Sequence, residues 1–112
     1  NNYSEFFFDF DSYEIDNTQR INITNLSKIL MKYEYIKINI DGHASSEGES
    51  DYNMLLSNRR SINIKNSLIQ DGINDSRLDV KAFGEELPSY ANMPLSERKK
   101  NRRVIISVDM DL

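Results

Sequence analysis

The chain has no cysteine, only two prolines and four glycines, and a single histidine among 112 residues. Without cysteine there is no disulfide and no thiolate metal site. A lone histidine (His43) has no second imidazole to complete a transition-metal site. The glycines form neither a G-x-G-x-x-G nor a G-x-x-x-x-G-K loop, which removes the usual phosphate cradles. Positive charge is also short: 14 Lys and Arg against 18 Asp and Glu leave a net charge of -4. A nucleic-acid footprint needs a basic surface, so none is expected. No run approaches the ~18 apolar residues of a membrane span. The opening "NNYSEFFFDF" has neither the basic start nor the cleavage site of a signal peptide. There is no internal repeat and no low-complexity tract.

What is present reads as one domain with one core. Apolar residues make up 38% and charged residues 29%, ordinary values for a globular protein. In "EFFFDFD", Phe6, Phe8 and Phe10 alternate with Phe7 and Asp9, the pattern of a strand with one apolar face. From about Thr18 to Tyr33 the spacing turns helical, with Ile23, Leu26, Leu30 and Tyr33 on one stripe. "YIKINID" alternates through Ile36, Ile38 and Ile40 and is ended by Gly42. A second helix is predicted from about Ser50, a candidate N-cap, to about Asp71, with Gly72 at its C′ position. "RLDVKAFG" and "RRVIISVDM" alternate again, joined by residues 84–101, which hold both prolines. The order β-α-β-α-β-β predicts an α/β two-layer sandwich, its helices packed on a mixed sheet with one face less covered.

The second helix carries the most informative charge. With ~100° per residue, Leu56 and Ile64 fall about 40° to either side of Arg60, and Asn53 about 20° away. Arg60 is therefore expected on the half-buried edge of an apolar stripe, with an amide nearer the helix start. A charge there requires an anionic partner. Two partners fit: an internal carboxylate such as Asp9 or Asp41, or a ligand carboxylate held in a bidentate fork. The basic run "ERKKNRR" at 97–103 fits either a solvated face or an anion contact.

Other chemistry finds little support. Asp41, His43 and Ser45 are alternate residues at one strand end, where side chains seldom face each other as a catalytic triad must. Glu47, Glu49 and Asp51 lack the Asp/Asn series and terminal Glu of a calcium loop. No catalytic pair, metal or cofactor is expected.

Taken together, these blocks resemble the OmpA-like peptidoglycan-binding domain, found also in Pal lipoproteins and MotB-type stator proteins. "FFFDFDSYEI" is similar to its opening strand. "IDGHASSEGESDYNMLLSNRRS" resembles its G-H-T-D-x-x-G-x-x-x-Y-N-x-x-L-S-x-x-R-A, with Gly42, His43, Gly48, Tyr52, Asn53, Leu56, Ser57 and Arg60 in register. "DGINDSRLDVKAFGEELP" and "NRRVII" are similar to its later blocks. The likeness runs from about Phe6 to Val108, and four blocks in order make it specific.

The resemblance implies non-covalent binding of the peptidoglycan stem peptide, mainly through its meso-diaminopimelate residue, with no bond made or broken. It places Arg60 on the ligand carboxylate, Asn53 as a contributing amide, and Asp9 as a cleft-lining carboxylate. Arg102 or Arg103 adds a basic contact. Ser45 stands where the family has the Asp that pairs with the ligand ammonium, and Ala44 where it has Thr. Glu47 or Glu49 is a possible stand-in for that Asp. The expected setting is the periplasm of a diderm bacterium, as one domain of a longer outer-membrane protein or lipoprotein. The alternative is the same fold used for protein assembly, with wall binding weakened or lost at Ser45.

Overall fold

The computed structural model describes residues 3–8, 13–43, 50–84 and 103–109. Strand β1 (Tyr3–Phe7) is followed by helix α1 (Asn17–Lys32), β2 (Ile38–His43), α2 (Ser50–Gln70), a single 3₁₀ turn (Asp75–Arg77), β3 (Leu78–Gly84) and β4 (Arg103–Val108). This is the expected β-α-β-α-β-β order, with the helices and a mixed sheet as its two layers.

Local chemistry explains the helix ends. Asp16 and Gln19 form a reciprocal capping box: the Gln19 N–H donates to Asp16 Oδ1 at 2.7 Å, and the Asp16 N–H donates to Gln19 Oε1 at 2.9 Å. Helix α1 then buries Ile23 and Leu30 and half-buries Leu26. Tyr33 departs from the expected stripe and is 40% exposed. It is the C-cap, with φ -115° and ψ 78°, so its side chain no longer follows the helical repeat. Helix α2 ends in a Schellman motif. Gly72 takes φ +104°, its N–H donates to the Ile69 carbonyl, and the Ile73 N–H donates to the Leu68 carbonyl. Leu68 and Ile73, the pair this motif brings together, both belong to the core.

The strands lie in the order β1-β4-β2-β3. β4 runs antiparallel to both β1 and β2, and β2 runs parallel to β3. Register sets Ile40 between Val80 and Ile106, and Gly42 between Ala82 and Val104. One face thus carries Phe6, Ile38, Ile40, Leu78, Val104 and Ile106, all buried beneath Ile23, Leu30, Ile64 and Leu68 of the helices. On the other face Asn39, Asp41, Asp79, Lys81 and Ser107 are half-buried or exposed. The expectation of unequally covered faces holds for these residues. Strand β2 continues to His43 across a register shift, one residue past the predicted end at Gly42.

Gly42 sits where α2 crosses β2. A Cβ at this position would overlap the Ser57 carbonyl oxygen and Ser61 Oγ. Ser57 and Ser61 are fully buried, one helical turn apart on the facing side of α2. Three small residues therefore let helix backbone rest almost directly on strand backbone. Ser61 Oγ also reaches the Lys81 carbonyl of β3 at 3.3 Å. Gly42→Ala is expected to push α2 away from the sheet and to lower stability by about 2–3 kcal/mol, read as a reduced urea midpoint at unchanged slope.

Candidate ligand-binding site

The close crossing at Gly42 determines what the next residues meet. Arg60, one position before Ser61, points into the sheet end and is completely buried. Its Nη1 donates to the carbonyl of His43 at 3.2 Å, and its guanidinium lies over the Phe8 ring, 5.3 Å from the centroid. A strand carbonyl thus fixes the fork in position and an aromatic face supports it. The expected half-buried edge is corrected to full burial, because the helix lies nearer the sheet than side-chain spacing alone indicates.

His43 is 5% exposed. Burial, and secondarily the Arg103 guanidinium, lower its pKa to about 4, so the ring is neutral at physiological pH. Arg103 is itself 2% exposed, although it opens β4 from the end of a basic run. For this residue the solvated-face reading is corrected: two buried guanidiniums flank one histidine, Arg60 at its carbonyl and Arg103 acting on its ring. Asn53, seven residues before Arg60 on α2, is 3% exposed and lies roughly 10 Å nearer the helix start on a similar face. Arg59 points elsewhere, as expected; it is exposed, and its guanidinium stacks 5.3 Å from the centroid of the Tyr13 ring.

Asp41 is not the internal partner of Arg60. It lies on the opposite sheet face, where its charged neighbours are Lys81 and Asp79. Burial raises its pKa, Lys81 lowers it and Asp79 raises it, the first effect being largest. Its Oδ1 is buried and finds no hydrogen-bond partner among the described residues. The predicted site residues Asp9, Ser45 and Arg102 lie outside the described residues, as do Ala44, Glu47 and Glu49.

The structure therefore sets Arg60 against the His43 carbonyl and Arg103 near the His43 ring, and places Asn53 on the same helix as Arg60. Phe8 and the His43 backbone are parts that sequence reasoning passed over. Gly42 followed by serines at 57 and 61 was the available signal, since a small-residue pair four apart on a helix allows close approach to a strand glycine. Among the described residues, no group of three His, Cys, Asp or Glu side chains could hold a metal ion. No described helix is long and apolar enough to cross a membrane.

The structure thus sets a buried arginine fork at the end of β2, in a four-stranded mixed sheet under two helices. The OmpA family matches residues 7–102, and the chain belongs to that family. It is 33% identical over 102 residues to outer membrane porin F of Pseudomonas fluorescens, covering 91% of this chain and 31% of the porin. It is 29% identical over 102 residues to a peptidoglycan-associated lipoprotein of Mesorhizobium japonicum, covering 91% of this chain and 61% of the lipoprotein. The chain thus spans under two thirds of each of these relatives. The peptidoglycan-associated lipoprotein of Burkholderia pseudomallei has the same fold, with a TM-score of 0.89 at 24% identity over 94% of this chain and 89% of that one. The C-terminal domain of Helicobacter pylori MotB superposes with a TM-score of 0.87 at 27% identity, over 96% and 85% of the two chains.

The histidine makes stability depend on pH. Its folded pKa of about 4 lies below the ordinary 6.5, so between these values the unfolded chain takes up a proton that the folded chain refuses. Stability is expected to fall as pH drops from about 6.5 to 4, by up to about 3 kcal/mol, and to level off below. Asp41, whose pKa is raised, works in the opposite sense: its contribution is present at low pH and lost as pH rises. Urea unfolding followed across this window should therefore show a steeper acid decline in the parent than in His43→Gln.

Proposed function

We propose that this domain binds peptidoglycan non-covalently and grips the diamino acid of the stem peptide. Arg60 takes the ligand carboxylate, Asn53 contributes an amide, and Asp9 lines the cleft. Arg103, with Arg102 beside it in sequence, adds positive potential. The observation that carries this reading is the buried Arg60 fork, oriented by the His43 carbonyl and the Phe8 ring, in a chain of the OmpA family. Fixing the fork before ligand arrives reduces the side-chain ordering that binding must otherwise supply. A second buried guanidinium, Arg103, acts on the His43 ring and adds positive potential at this end of the sheet. Recognition proceeds without catalysis or a cofactor. The domain would act in the periplasm, as one domain of a longer outer-membrane protein or lipoprotein held to the wall.

Ser45 motivates a second reading. It stands where the family's ammonium-pairing Asp is found, and a hydroxyl brings no charge to that contact. An assembly domain that has weakened or lost wall binding would carry such a change.

Co-sedimentation with purified peptidoglycan separates the two. The first reading expects retention that free meso-diaminopimelate competes away. Arg60→Gln, checked for native circular dichroism, should lower retention at least about tenfold, since hydrogen bonds to charged groups contribute ~1.5–3 kcal/mol. Ser45→Asp should raise affinity for diaminopimelate wall by ~10–100-fold on the same basis. A folded parent that is not retained at any pH supports the assembly reading. A neutral or harmful Ser45→Asp overturns the proposed role of that position.

A further inference from the structure

The helix layer carries a groove between α1 and α2. Its volume is about 500 Å³, and it is lined by Glu14 and Ile15 ahead of α1, by Arg20 within α1, and by Asn63, Asn66 and Gln70 of α2. The three carboxamides recur at spacings of three and four residues, so they share one side of α2 along roughly 10 Å of helix. Hydrogen bonds between the two layers of chain set the groove's ends. Asn63 Nδ2 donates to the Tyr13 carbonyl at 2.7 Å, and Ser27 Oγ donates to Asp71 Oδ2 at 2.7 Å. The groove therefore has its width before any ligand arrives, which lowers the ordering cost of binding.

Its lining is polar and electrically neutral. Among the described residues that line it, Glu14 and Arg20 alone are charged, and their charges cancel. The charged groups at its ends are occupied: Asp16 in the capping box, Asp71 by Ser27, and Arg59 on the Tyr13 ring. The side chains of Arg20, Asn66 and Gln70 form no hydrogen bond or ion pair among the described residues. Each carboxamide offers two donors and an acceptor, so the groove presents both kinds of group along its length. Ile15, half-buried and packed against the core, supplies an apolar surface.

We infer that this groove holds a neutral glycan bearing acetamido groups, the sugar strand of the wall. The choice of ligand rests on the wall-binding reading, and the lining selects the glycan over the stem peptide. An acetamido group has one N–H and one carbonyl, which a carboxamide can answer together, and sugar hydroxyls donate and accept as carboxamides do. Its methyl suits the Ile15 surface. The volume lies in the range of small-ligand sites. A carboxylate or phosphate ligand would want an excess of positive charge, which the lining does not have. A peptide strand would want a free sheet edge or apolar pockets for its side chains. These walls are helices, whose backbone groups bond internally, and Ile15 is the one aliphatic side chain among them. Asn63 lies one helical turn beyond Arg60, about 5 Å along the axis. A single wall fragment would thus place its sugars in the groove and its stem peptide toward Arg60.

An NMR titration with chitotetraose, and with wall glycan stripped of its peptides, tests it. Both should shift the side-chain amide signals of Asn63, Asn66 and Gln70. Cellotetraose, with hydroxyls in place of acetamido groups, should bind at least several-fold more weakly. Combined Asn66→Leu and Gln70→Leu, both exposed positions, should weaken chitotetraose binding at least about tenfold through the loss of two sets of hydrogen bonds, with circular dichroism unchanged. Arg60→Gln should bind chitotetraose as the parent does, which separates failure here from failure of stem-peptide capture. Absence of shifts at the three amides, equal binding of cellotetraose, or parent-like binding by the double variant would overturn the inference. Displacement of chitotetraose by free, sugarless stem peptide would also overturn it, assigning the groove to the peptide.

Discussion

The site depends on the close approach of α2 to β2 at Gly42. Helices usually stand off a sheet by the length of their intervening side chains. Here the strand contributes a hydrogen where a Cβ would be, and the helix contributes two buried serines. The separation shrinks until helix backbone and strand meet. Arg60, the neighbour of Ser61, is thereby carried below the protein surface and set against the carbonyl of the residue that follows Gly42. A longer standoff would leave the same arginine on a rim, where water competes for its donors and the side chain samples many rotamers.

Burial has electrostatic consequences on both sheet faces. On the helix side it fixes Arg60 between a carbonyl and an aromatic ring. Near it, burial and the Arg103 charge hold His43 neutral. On the other face Asp41 is partly withdrawn from water and its carboxyl pKa rises. Positive charge is thus gathered at the end of β2, while Asp41 projects from the opposite sheet face beside Lys81 and Asp79.

Family membership accounts for the frame. At the pole of the sheet opposite Arg60, the Arg77 guanidinium ends α1 by donating to the Leu30, Tyr33 and Ile36 carbonyls, so the turn between α1 and β2 is held independently of the fork at the end of β2.

Most of the architecture was legible in the sequence because each element writes its own period. Alternation marked β2 and β4, helical spacing marked α1 and α2, and Gly72 marked a C-terminus that does adopt a left-handed backbone. Arg60 and Asn53 were legible as candidates because a charge and an amide two turns apart on one helix face stand out against aliphatic neighbours. Tyr33 was misplaced on the stripe because periodicity does not reveal where a helix stops following it. Arg77 as a clamp, Phe8 beneath a guanidinium and the His43 carbonyl as an acceptor were not legible, since each joins segments distant in sequence through backbone atoms that every residue shares. Sequence alone determined which elements form and which side chains bear charge. Tertiary structure decided how deeply Arg60 and Arg103 are buried, because depth follows from the distance between packed layers, and no single segment encodes it.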